Sequence, residues 1–126
     1  MSIWTNWDPL EEVIVGNCPT RIPSKWDLPL GVRGNFDQIL YETKEDLDHL
    51  SSLLTSLGVK VHRPSISNFD QEINLASFNV KNPVFPIVPR DQYFVYGNTI
   101  FQTYTSMPDR YLDSLNYYDI FTDLYN

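Results

Sequence analysis

A single cysteine, Cys18, among 126 residues leaves no partner for an internal disulfide. The fold must therefore be held by its core, and a free thiol suits a reducing compartment, so a cytoplasmic location is expected. No apolar run is long enough to cross a bilayer, and Met1-Ser2-Ile3-Trp4 opens without the basic and apolar regions of a secretion signal. A membrane is not an expected partner. Basic residues are also scarce: nine Lys and Arg stand against sixteen Asp and Glu, a net charge of −7. That field repels phosphate backbones, which argues against nucleic acid, and favours a small cationic ligand, a weak discriminator because many soluble proteins are acidic. No short repeat is visible, and neither a cofactor nor a metal is expected.

What is present reads as a folded chain, with 42% hydrophobic and 20% charged residues. Val13, Ile14 and Val15, closed by Gly16, predict a short strand buried on both faces. Five prolines and glycines between Asn17 and Asn35 (Pro19, Pro23, Pro29, Gly31, Gly34) predict a long loop. From Asp37, the spacing of Leu40, Leu47, Leu50, Leu54 and Leu57 predicts a helix that Gly58 ends, and Val59 to His62 a strand that Pro64 stops. Residues Ser65 to Pro89 read as an irregular connection. Tyr93 to Tyr96 and Thr99 to Gln102 flank Gly97-Asn98, the signature of a two-residue hairpin. Tyr111 or Leu112, Leu115, Tyr118, Phe121 and Leu124 then step at helical period after Pro108-Asp109. This is α/β or α+β grammar. The earlier unit delivers a strand after its helix and the later one does not. An open hairpin edge and an uncovered helix face are therefore expected, covered by self-association as a homo-oligomer or by a lost C-terminal partner.

Few side chains suggest chemistry by themselves. Cys18 has no histidine near it in sequence and reads as a small buried hydrophobe. His49 and His62 lack partners at metal-ligand spacing and read as surface or packed residues. Asp8, Glu11 and Glu12 could imitate a catalytic carboxylate pair but fit better as the polar lead into a strand. The aromatics Tyr93, Phe94, Tyr96, Phe101, Tyr104, Tyr111, Tyr117 and Tyr118 have almost no interleaved basic residues, so packing is preferred to base stacking. Pro83 and Pro86 have a spacing that proline-binding modules accept, a pattern common by chance. Arg90 and Asp91 read locally as a turn that opens a strand.

Three stretches in order resemble the glycine and inosamine-phosphate amidinotransferase family of the pentein, or arginine deiminase-like, superfamily. They are Trp7-Asp8-Pro9-Leu10-Glu11-Glu12-Val13-Ile14-Val15-Gly16, Leu54-Thr55-Ser56-Leu57-Gly58-Val59-Lys60-Val61-His62-Arg63-Pro64, and Pro89-Arg90-Asp91-Gln92-Tyr93-Phe94-Val95-Tyr96-Gly97-Asn98-Thr99-Ile100. The resemblance implies a partial α/β-propeller of ββαβ modules. Residues 1–126 would form a single, incomplete domain, the first module and part of the second. It also implies transfer of an amidino group from L-arginine to an amine acceptor, by way of a cysteine thiolate with a histidine moving protons. Both of those residues belong to later family sequence, so no catalytic residue is expected here and the chain alone is expected to be inactive. Asp91, with Arg90 beside it, carries over as substrate-binding, because a carboxylate suits a planar guanidinium. One departure falls between Thr103 and Tyr111: Arg110 and Tyr111 match the family pattern, but Pro108 stands where an earlier arginine is usual. The acceptor therefore stays open. The alternative is a non-catalytic module that binds guanidino compounds or self-assembles.

Overall fold

The structure, a computed structural model, describes residues 3–5, 7–66, 72–103 and 105–125. Strand β1 (Glu12–Ile14) lies parallel to β2 (Lys60–His62), with Glu12 opposite Lys60 and Ile14 opposite His62. Parallel neighbours need a crossover, and helix α1 (Leu30–Ser56) provides it. The expectation of a strand buried on both faces holds only for Val15, which is buried. Val13 and Ile14 stay half-buried because, among the described residues, β1 has one strand neighbour.

Gly16 has a stricter role than ending the strand. A Cβ there would sit 1.7 Å from the Ile87 carbonyl oxygen, and the next residue, Asn17, donates its N–H to Pro86 O at 2.9 Å. Two backbones touch at this point, and only a residue without a side chain fits.

Helix α1 starts seven residues earlier than its apolar spacing predicts, at Leu30 and not Asp37. Gly31 and Gly34 lie inside it on open surface, where each weakens the helix only modestly. Tertiary ties override that weakness. The Arg33 guanidinium donates to the carbonyls of Pro23, Ser24 and Trp26, and Asp37 Oδ1 accepts the Ile22 N–H at 2.8 Å. The preceding loop is thereby folded onto the helix, where its Cys18 and Ile22 cluster with Leu40 of α1 and with Phe85, on which Trp26 stacks at 5.4 Å. The far end of the stripe is open, with Leu50 and Leu57 exposed. The helix stops as predicted. Gly58 takes φ +85°, its N–H reaches Thr55 O, and the Val59 N–H reaches Leu54 O at 3.0 Å, the two bonds of a Schellman motif.

The connection after β2 contains a two-residue ladder, β3 (Ile73–Asn74) with β4 (Asn79–Val80). Pro64, Pro83 and Pro86 are fully buried, which removes Pro83 and Pro86 as a docking motif. The hairpin forms as predicted from β5 (Tyr93–Tyr96) and β6 (Thr99–Gln102). Gly97 has φ +56° and Asn98 is not left-handed, the φ pattern of a type II′ turn. Ile3 pairs with Gly97 across two backbone hydrogen bonds, and Trp4 meets Tyr96 edge-on at 5.9 Å, so the N-terminal segment straps the hairpin tip.

The last helix is shorter than its periodicity predicts. Turns of 3-10 type at Pro108–Arg110 and Asp113–Tyr117 precede α2 (Tyr118–Tyr125). Carbonyls that a continuous helix would use are taken elsewhere: Asp109 O accepts from Val84 N at 2.9 Å and Asn116 O from Ser65 N at 3.0 Å. Tyr117 is fully buried, donates its hydroxyl to Pro86 O at 3.2 Å, and packs with Tyr93, which also meets Phe121 at 4.5 Å. On the other side of the hairpin Phe94 and Phe101 stack at 4.8 Å and remain exposed, as does Tyr118 on α2. Tyr104 lies outside the described residues. No helix of the described residues is long and apolar enough to cross a membrane.

Candidate functional site

Asp91 closes a 3-10 turn, Pro89–Asp91, that leads directly into β5. Pro89 presets the first φ, and the Gln92 N–H closes the turn on Pro89 O at 3.0 Å. Thr103, just beyond β6, then clamps the turn: its hydroxyl donates to Asp91 O at 2.8 Å and its N–H to Gln92 O at 2.7 Å.

The Asp91 side chain meets a residue not expected at the site. Asp91 Oδ2 accepts from Arg110 Nη1 at 2.9 Å. Behind it, Asp113 Oδ2 accepts from Arg110 Nη2 at 2.8 Å and Nε at 3.2 Å, and Val88 O accepts from Nη2 at 3.4 Å. Three turns thus converge on one guanidinium. Exposure falls steadily inward, from 46% for the Asp91 side chain through 11% for Arg110 to 0% for Asp113. Burial works hardest against the Arg110 charge, yet hydrogen bonds to Asp113 and Asp91 outweigh it and the proton is held more tightly than usual. For Asp113 the balance tips the other way. Burial pushes its carboxyl up against the pull of Arg110, and Oδ1 is buried with no hydrogen bond among the described residues.

Arg90 turns away from this cluster. Its side chain is 90% exposed, with Nε 3.9 Å from Asp91 Oδ1, and it borders a cavity of about 370 Å³ between β1 and the hairpin. The acidic edge of that cavity is structural. Asp8 accepts from Trp4 N, Thr5 N and Thr5 Oγ1, all at 2.8 Å, and the Thr5 hydroxyl is the main cause of its lowered carboxyl pKa. Glu12 Oε1 accepts from His62 Nε2 at 2.7 Å and from Lys60 Nζ at 2.9 Å. The His62 bond, then the Lys60 bond, lower the Glu12 carboxyl to about 2. Glu12 and His62 are therefore a latch across the β1–β2 pair.

Cys18 is fully buried, its thiol pushed up by desolvation, and its Sγ lies 3.7 Å from Leu40 O. Burial outweighs the pull of Lys44 and Arg63, so the thiol is not an activated nucleophile. His49 is exposed on α1. Among the described residues no three His, Cys, Asp or Glu side chains are grouped to hold a metal ion. The structure thus brings together Asp91, Arg110 and Asp113, leaves Arg90 outside the cluster, and keeps Cys18 and both histidines apart from it. Two sequence signals bear on the missed pair: the match of Arg110 to the family pattern, and the i, i+3 spacing of Arg110 and Asp113 next to Pro108.

No family model matches the chain. Individual proteins do. Inosamine-phosphate amidinotransferase 1 of Streptomyces griseus is 32% identical over 142 aligned residues, covering 99% of this chain and 40% of that protein. The protein of the same name from Streptomyces glaucescens is also 32% identical, over 99% of the chain and 40% of its own length. The solved structure of inosamine-phosphate amidinotransferase StrB1 from Streptomyces griseus superposes with a TM-score of 0.77 at 31% identity, over 98% of this chain and 40% of that one. SxtG, an amidinotransferase from Microseira wollei in the saxitoxin biosynthetic pathway, shares the fold, with a TM-score of 0.78 at 23% identity over 98% and 38% of the two chains. The chain spans about two-fifths of the length of the curated relatives it matches. Across that span the chain is similar in sequence to inosamine-phosphate amidinotransferases, and in structure to one of them.

Proposed function

We propose that this chain is the N-terminal, Asp91-bearing portion of an amidinotransferase that moves an amidino group from L-arginine to an amine. The observation that carries the reading is the match to amidinotransferases over 99% of the chain, which includes the Pro89–Asp91 turn. Asp91 offers a carboxylate oxygen to the substrate cation, and Arg90 lies at the rim of the neighbouring cavity. Residues 1–126 form one incomplete propeller domain in this reading, and the free Cys18 accords with a cytoplasmic setting. The nucleophilic cysteine and the proton-moving histidine come from polypeptide outside these residues. The thiolate adds to the guanidinium carbon, the Cζ–Nε bond breaks as ornithine leaves with a proton on Nε, and the amidino group passes from sulfur to the acceptor amine.

The test is ornithine release from L-arginine with glycine or hydroxylamine as acceptor. It is run with the chain alone and with the polypeptide that corresponds to the rest of its relatives. Ornithine only in the combined reaction, and its loss in Asp91→Asn, is the expected outcome; no ornithine in either reaction rejects the reading.

The exposed aromatic face of the hairpin, with Phe94 and Phe101 stacked in solvent, favours a second reading. Here the chain is a non-catalytic module that binds guanidino compounds or associates with itself. Light scattering decides the second part, since a strictly monomeric chain across concentration removes self-association.

A further inference from the structure

We propose that Arg110 is a positioning residue: tethered from behind by Asp113, it fixes the Asp91 carboxylate with one oxygen free to accept an N–H from a cationic ligand. The inference rests on the reading of Asp91 as the ligand-facing carboxylate.

The geometry gives the cluster a direction. Arg110 makes two hydrogen bonds to a carboxylate that is wholly buried and one to a carboxylate that is nearly half exposed. Charge-assisted bonds in a dry environment dominate, whereas a partly wet pair contributes little. Asp113 therefore decides where the guanidinium sits, and the guanidinium decides where Asp91 points. Without Asp91, Arg110 keeps its buried partner; without Arg110, Asp91 has no strong partner for its side chain. The Asp91 backbone is fixed separately, by Thr103, so the side-chain torsion is the freedom that Arg110 removes.

The charges give the ligand class. One guanidinium is shared between two carboxylates, which leaves one negative charge in the cluster. Asp91 Oδ1 makes no hydrogen bond among the described residues, and Arg90 Nε stands 3.9 Å from it on a side chain that is 90% exposed. A cation with N–H donors, a guanidinium or an ammonium, completes this arrangement. An anion does not.

The decisive experiment is NMR on the whole 126-residue chain, reading the Asp91 χ1 couplings and the Arg110 Nε–H resonance, alongside calorimetric titration with L-arginine. In the native chain Asp91 shows a single rotamer. In Arg110→Gln it averages between rotamers while the β5–β6 amide shifts are kept, and L-arginine binds about tenfold more weakly, the scale of one charge-assisted hydrogen bond. Arg110→Lys keeps the charge but, as a point donor, does not span both carboxylates, so it shows the same averaging and decides the matter if Arg110→Gln does not fold. In Asp91→Asn the Arg110 Nε–H stays protected and L-arginine binding is lost. A single Asp91 rotamer in both Arg110 variants overturns the inference, and so does unchanged L-arginine affinity in both. Rotamer averaging confined to the Arg110 variants, with a native chain that holds one rotamer but does not bind L-arginine, upholds the positioning role and rejects the ligand reading of Asp91; averaging already in the native chain overturns both.

Discussion

The two strand pairs are stabilised in opposite ways. β1 and β2 are brought together from distant parts of the chain, and their surroundings are a matter of closeness: an apolar core under α1, and two backbones in contact where Gly16 meets Ile87. β5 and β6 are sequence neighbours that need no help to meet, and what surrounds them is a matter of charge and rings: Arg110 between two carboxylates, Tyr93 between Tyr117 and Phe121. In the first region substitutions are felt through volume. In the second they are felt through unpaired polar groups.

That contrast can be broken or sharpened by experiment. The largest effect is expected from Gly16→Val, because the clash is with backbone and cannot be relieved by a rotamer change. A loss of at least about 3 kcal/mol in chemical denaturation is predicted, and a near-native midpoint would break the volume half of the comparison. Next is Asp113→Ala, which leaves the Arg110 guanidinium largely buried beside only the partly wet Asp91. A cost of about 3 kcal/mol is expected, with amide-exchange protection lost first across residues 89–125, and uniform loss over the chain would blur the comparison. The Glu12 latch is a charged feature inside the first region and tests how far that region depends on volume. Its carboxyl titrates at about 2 in the fold against an ordinary 4.5, so it contributes stability in full above pH 4.5 that disappears as pH falls towards 2. Roughly 2 kcal/mol of acid sensitivity should vanish from the pH dependence of unfolding in Glu12→Gln, after discounting for partial exposure. The smallest effect has the reverse sign. Gly31→Ala and Gly34→Ala place a methyl group where nothing lies within 4 Å, and each should raise stability by about 0.5–1 kcal/mol in a thermal melt.

Local chemistry was legible in the sequence wherever the chain answers to itself. The hairpin follows from Gly97-Asn98 between β-rich runs, and the α1 stop from Gly58, because both depend on one residue's φ. The helix start was not legible. Proline and glycine argue for a loop through Asn35, and the ties that overrule them join Arg33 and Asp37 to residues 22–26, contacts that no periodicity reports. The broken final helix has the same origin, since Val84 and Ser65 are far in sequence from the carbonyls they occupy. For the candidate site, Asp91 stood out through its resemblance to a known pattern, while Asp113 did not, because a buried aspartate looks like any other in a run that also holds Asp109, Asp119 and Asp123.

The pairing of Glu12 with Lys60 bears on the order in which the chain acquires its shape. A two-residue turn lets β5 meet β6 within roughly 1–10 μs, while β1 cannot find β2 until the whole intervening segment has been drawn in, at a considerable loss of chain entropy. The parallel pair is therefore a late event on the folding route. Until it forms, the apolar stretch Val13 to Val15 lacks its β2 neighbour and is the segment that a binding partner or an aggregate would capture first.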